Sequence, residues 1–191
     1  MIRITRMFRV LALLVVFPAW GTLFAQEAQP APEAASVAEL PRQFRGISLG
    51  MDLEALKAAL NEDSLFNFRG DRDVSFLLAP QQSLVETTGF SFIKRAFFQL
   101  NQGALFIMAF TMNDELLDHY SVFTALTEKY GQPDSLSPQQ AVWENGPTRV
   151  ALERPLTIKY IDFEVFNRIV GDAAVEETRE LRLRQEFIDA L

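Results

Sequence analysis

Apolar residues recur with two different periods along this chain, and each change of period marks an element. In "GMDLEALKAAL" the residues Leu53, Leu56, Ala59 and Leu60 fall on one side of a helix. Asp52 is placed as its N-cap, and Met51 and Leu56 as a hydrophobic staple. In "LDHYSVFTALTEKYGQP" Asp118 takes the cap position, with Leu117 and Val122 as the staple. Val122, Phe123, Leu126 and Tyr130 form the apolar stripe. Gly131 and Pro133 end that helix, because glycine tolerates the left-handed conformation and proline cannot continue the helix.

Elsewhere the period drops to two. Strands are expected over 73–78, 92–100 and 104–112, and again over 140–145, 148–153 and 156–163. Asn101-Gln102-Gly103 reads as a three-residue hairpin loop, and Asn145-Gly146 and Arg154-Pro155 as turns. Residues 79–91 fit no pattern. The expected fold is α+β: an antiparallel sheet of about six strands with two helices on one face. A helix followed by three strands occurs twice, and a C-terminal helix follows.

The hairpin sharpens the expected faces. With a three-residue loop, Leu100 stands opposite Ala104, Phe98 opposite Phe106 and Phe97 opposite Ile107. One face then gathers Phe98, Leu100, Phe106, Met108 and Phe110, and it should meet the helices. The other carries Phe97, Leu105, Ile107 and Ala109, edged by Arg95 and Gln99. In the second half Trp143, Val150 and Leu152 face the core, leaving Val142, Glu144, Arg149, Ala151 and Glu153 outward, with Thr157 and Lys159, so the outer face is expected to be apolar in the first half and solvated in the second. Burying Phe97, Leu105 and Ile107 is worth about 5–8 kcal/mol. That rivals the net stability of a domain, about 5–15 kcal/mol, so something should cover this face. Three covers are open. One is the chain itself, through residues 79–91 or through Leu183, Phe187 and Leu191 on a C-terminal helix. The others are a partner or second copy, and an apolar ligand. Phe97, Leu105, Ile107, Arg95 and Gln99 are therefore the candidate partner-binding face.

The N-terminus changes the setting. Residues 1–25 carry Arg3, Arg6 and Arg9 and no acid, then an apolar run from Val10, the layout of a signal peptide. Cleavage is expected after Ala25, with Ala19-x-Gly21 as a second place. The run from Val10 to Ala25 contains Pro18 and Gly21 and falls short of the roughly 20 residues of a span. The expected organisation is a signal peptide over 1–25, a flexible linker over 26–41, an α+β domain over 42–171 and a helix over 172–191. The expected location is periplasmic or secreted, with no stable membrane insertion after cleavage.

There is no cysteine. Thiol catalysis, cysteine-ligated metal and lipidation of a cysteine are excluded, and the exported body must be held by its core. The chain carries −7, and removing the three arginines of residues 1–25 leaves −10, a poor charge for gripping nucleic acid.

"ISLGMDLEALKAAL" and "KYGQP" followed by a strand with Trp143 resemble small exported helix-plus-sheet modules: the outer-membrane assembly lipoproteins and the secreted β-lactamase inhibitor protein. Unlike the lipoproteins, the chain lacks the cysteine that carries the lipid. The resemblance implies a non-catalytic protein-binding module of the cell envelope.

Catalytic chemistry has little to stand on. His119 is the single histidine, and Asp118 beside it in sequence does not by that fact orient its ring. Glu115, Asp118 and His119 could share a helix face as metal ligands, although acids at a helix N-terminus are explained by the dipole. "FRGDRD" reads as a charged turn. The expectation is therefore no enzyme, no cofactor, no metal and no catalytic residue. The chain is read as an exported binding or adaptor protein acting through protein–protein contacts with another envelope protein or a second copy, by the apolar sheet face or the C-terminal helix. The alternative is an envelope hydrolase or metal-binding protein using His119 and neighbouring carboxylates.

Overall fold

The structure is a computed structural model, described here for residues 39–77 and 81–191. The expected signal peptide and all of the linker up to residue 38 lie outside the described residues. Chain order is β1 (Gln43–Phe44), β2 (Ile47–Ser48), α1 (Leu53–Glu62), β3 (Phe66–Asn67), a 3-10 turn (Gly70–Asp73), β4 (Val74–Phe76), β5 (Gln82–Gly89), β6 (Ile93–Asn101) and β7 (Ala104–Met112). Then come α2 (His119–Tyr130), β8 (Ser135–Leu136), β9 (Gln140–Asn145), β10 (Thr148–Glu153), β11 (Thr157–Asp162) and α3 (Phe163–Asp189).

The architecture is α+β, built on one antiparallel sheet of nine strands among the described residues, larger than the six expected. Its order is β3-β5-β6-β7-β11-β10-β9-β8, with β4 also beside β5. The six long strands form two meanders, β5-β6-β7 and β9-β10-β11, joined where β7 pairs with β11. Each meander follows a helix, which is the expected repeated plan with one substitution. The first meander opens with β5, in the stretch that fitted no pattern, and not with the short β4.

Both helix caps form. The Asp52 carboxylate accepts from Ala55 N–H at 2.8 Å, and Asp118 accepts from Ser121 N–H at 2.9 Å. Gly131 ends α2 at φ 85°, a conformation that favours glycine, and its carbonyl accepts from the Trp143 indole N–H at 2.9 Å. One sheet face packs on the helices. Leu56 and Leu60 of α1 and Leu126 of α2 share a core with Val85, Phe98, Leu100, Met108, Phe110, Trp143, Val150 and Leu152. Phe98 and Phe110 meet edge to face at 5.8 Å between ring centroids, an arrangement aromatic pairs prefer.

Five expectations are corrected. The hairpin loop is two residues long, with Gln102 and Gly103 both at positive φ, the signature of a type I′ turn, so Asn101 belongs to β6. The register then slips between Gln99 and Leu100: Leu100 faces Leu105, while Gln99 faces Ile107. Phe106 is the extra residue of a β-bulge, and the bulge turns Leu105 into the core, where it is 1% exposed. The linker boundary also moves, because Leu40 is a core residue. Finally, α3 begins at Phe163 and not near residue 172, since the Asp162 carboxylate caps it by accepting from Val165 N–H.

Candidate functional site

The sheet face turned away from α1 and α2 is concave and encloses a groove of about 620 Å³. Pairing fixes its rows. Phe97 stands beside Ala109, Ala109 beside Lys159, Lys159 beside Ala151 and Ala151 beside Val142. The neighbouring row runs Gln99, Ile107, Ile161, Arg149, Glu144. Alanines on β7 and β10 keep the middle of the first row low, and the right-handed twist of a many-stranded sheet supplies the curvature.

The charges here are already matched. Arg149 pairs with Glu144 at 2.6 Å and Lys159 with Glu153 at 2.7 Å. The Arg149 guanidinium also lies 3.9 Å from the Phe163 ring centroid, a cation–π contact that ties the first turn of α3 to the groove. Phe166, one turn further on, lines the groove wall. Arg42 reaches Asp162 and bonds the Thr148 hydroxyl, anchoring the N-terminal end of the body to the same corner. With its cations and carboxylates paired to one another, the groove offers the half-buried apolar side chains of Leu84, Phe97, Ile107 and Phe166 around a floor that includes buried Ala109 and Ile161.

Of the expected binding face, Phe97, Gln99 and Ile107 line the groove. Arg95 sits outside it, bonded to Glu86 at 3.3 Å and stacked over Phe97. Leu105 is withdrawn from the face by the bulge. Of the outward residues expected in the second half, Val142, Glu144, Arg149, Ala151, Glu153 and Lys159 line the same groove, whereas Thr157 does not and its hydroxyl is shared with that of Thr111. Val142 and Ala151 are buried in its floor, so the second half is not simply solvated. Neither expected internal cover is in place. Residues 82–89 are a strand of the sheet, and every residue of α3 from Val170 onward is exposed.

A second hollow of about 410 Å³ lies over His119, Phe123, Leu136, Ser137, Pro138 and Arg154. The His119 Nε2 is buried without a hydrogen-bond partner. Burial first, and the Arg154 charge second, hold this imidazole below its ordinary range, with Asp118 pulling the other way. Asp118 does not orient it. One carboxylate oxygen accepts from Ser121 N–H and the other from the Ser121 hydroxyl at 2.6 Å, and these bonds keep the Asp118 carboxyl low. A base with no orienting partner is not a triad. Glu115 is exposed, and no group of three His, Asp or Glu side chains among the described residues is arranged to hold a metal. The "FRGDRD" stretch forms the 3-10 turn Gly70–Asp73, in which Asp73 is buried and accepts from Arg69 Nε at 2.8 Å.

Fold and face together define a helix-backed antiparallel sheet whose far side is an open, charge-balanced apolar groove. The chain belongs to the TP0088 domain family, whose match covers residues 42–172 and so ends inside α3. No curated protein and no solved structure matches the chain.

Proposed function

We propose that this chain is an exported binding or adaptor module of a bacterial cell envelope, acting through protein–protein contacts at the concave sheet face and not by catalysis. The observation that carries the reading is the open groove whose apolar rim, Leu84, Phe97, Ile107 and Phe166, stays half-buried and whose charged side chains are paired internally. Partly exposed apolar side chains gathered in one groove mark interaction sites in proteins. The export half rests on the arginine-led apolar segment of residues 1–25. Cell fractionation with N-terminal sequencing tests that half. A mature chain beginning near Gln26 outside the cytoplasm is expected, and an intact cytoplasmic chain would contradict it.

The binding half is tested by a photoreactive amino acid placed at Phe97 or at exposed Tyr120 in the producing cell. A discrete protein adduct from position 97 and none from position 120 is expected. Adducts from neither position, with loss of the cellular phenotype on His119→Ala, would favour the hydrolase reading.

A further inference from the structure

The hollow over His119 joins an apolar wall to polar groups that nothing in the described chain engages. Its volume of about 410 Å³ lies within the range of small-ligand pockets, about 300–1,000 Å³. The apolar wall comes from three places. Phe123 of α2 packs on Trp143 at 6.1 Å between ring centroids, Leu136 of β8 stands opposite Ala141 of β9, and Pro138 lies in the loop between those strands. That loop is tied down at both ends. Ser137 N–H donates to the Gln140 carbonyl at 2.8 Å, and Arg154 Nε donates to the Pro138 carbonyl at 3.0 Å.

Most polar groups of the hollow are already engaged. The Asp118 carboxylate holds Ser121, and the Ser137 hydroxyl donates to the Gln140 carbonyl while accepting from Gln139 and Gln140 N–H. Two groups are not. His119 Nε2 is buried without a partner. The Arg154 guanidinium has no carboxylate partner among the described residues, and its bond through Nε leaves the terminal nitrogens as donors. In the concave groove, by contrast, Arg149 and Lys159 each hold a carboxylate.

These two groups select the ligand. A buried nitrogen without a partner carries a desolvation cost that a ligand atom removes. The planar N–H pair of a guanidinium matches a carboxylate. A peptide backbone would bury several N–H and C=O groups that each need a partner, and Asp118 and Ser137 are not free to supply one. We propose that this hollow binds a small monocarboxylic acid with an apolar body, its carboxylate held by the Arg154 guanidinium and His119 Nε2–H and its body laid against Phe123, Leu136 and Pro138. Neutral imidazole serves as the donor in the tautomer that carries its proton on Nε2.

His119 is the single histidine, so its ring resonances report on this site alone. The full-length protein is titrated with hydrocinnamate, with hydrocinnamamide as the uncharged counterpart and acetate as the charge without the body. Saturable shifts of the His119 ring are expected from hydrocinnamate and not from the other two. The midpoint of His119 titration should rise with the acid bound, because a carboxylate beside the ring offsets the Arg154 charge. Arg154→Gln should weaken binding about tenfold or more, the loss of a charge-assisted bond. Leu136→Glu, at a position 66% exposed, should weaken binding by like-charge repulsion and leave the core intact.

Equal binding of the amide would mean an apolar hollow without an acid site and overturn the proposal. So would equal shifts from acetate, no saturable shift from hydrocinnamate, or unchanged binding by a folded Arg154→Gln. Should Arg154→Gln lose the wild-type circular dichroism, Leu136→Glu decides, and unchanged binding there overturns the proposal. Protein capture from position 97 tests the concave face separately and is unaffected by any of these results.

Discussion

Leu105 and Ile107 are two residues apart on one strand, and alternation alone would give them the same face. The bulge at Phe106 separates them: Leu105 joins the core and Ile107 lines the groove. Leu105→Ala should therefore cost about 2–5 kcal/mol in urea unfolding, as other core deletions do. Phe97→Ala, which removes groove surface only, should cost less than about 1 kcal/mol. Equal losses would contradict this division. No residue type announces a bulge, so alternation places Leu105 on the wrong side while Phe98, Met108 and Phe110 are legible. His119 makes the other residue-scale prediction. Burial holds its folded-state affinity for protons below that of the unfolded chain. As pH falls through about 6.5 the unfolded chain takes up the proton first, so this contribution is present above that pH and lost as pH falls toward the folded value. Urea midpoints between about pH 7.5 and pH 5 should drop further for wild type than for His119→Gln, and parallel curves would contradict the desolvation of a half-buried imidazole whose Nε2 has no partner.

At the scale of elements, α1 and α2 were legible because several independent signals agreed: cap, staple, stripe and, for α2, a glycine stop. The strand β5 was not. Its inward positions are Ser83, Val85 and Thr87, so only one of three is aliphatic and the hydrophobic alternation is faint. The start of α3 was hidden for the opposite reason. Phe163, Val165, Phe166, Ile169 and Val170 follow a strand without a break in apolar character, and only Asp162 marks the change. That aspartate has two tasks, capping α3 and holding Arg42. Asp118 has only its cap and Ser121. Replacing Asp118 by alanine should cost about 0.5–2 kcal/mol, the range for lost caps. Asp162→Ala should cost more, because Arg42 loses its carboxylate as well. The reverse order in thermal unfolding would mean that the Arg42 corner contributes little.

For the whole molecule, the plan of a helix and three strands used twice was readable, and it accounts for why the sheet has a central β7–β11 seam and two similar wings. What could not be read was curvature. The twist of the sheet is not written in any one residue, and the depth of the groove depends on small residues meeting across strands from separate parts of the chain, here Ala109 and Ala151 on either side of Lys159. It converts a face expected to be half greasy and half solvated into one groove. The helices close one side of the sheet and leave the other open, and α3 leaves that open side bearing an apolar stripe of its own. Among the described residues no helix is long and apolar enough to cross a membrane.

The most direct test of this account compares the circular dichroism and urea unfolding of Ile107→Asp with those of Leu105→Asp. The groove reading predicts that Ile107→Asp keeps the wild-type spectrum and a midpoint close to that of wild type, yet abolishes adduct formation from position 97. Leu105→Asp should be unfolded in buffer, as an unpaired charge in a packed core requires. If Ile107→Asp unfolds as Leu105→Asp does, the concave face is a second core and not a binding surface.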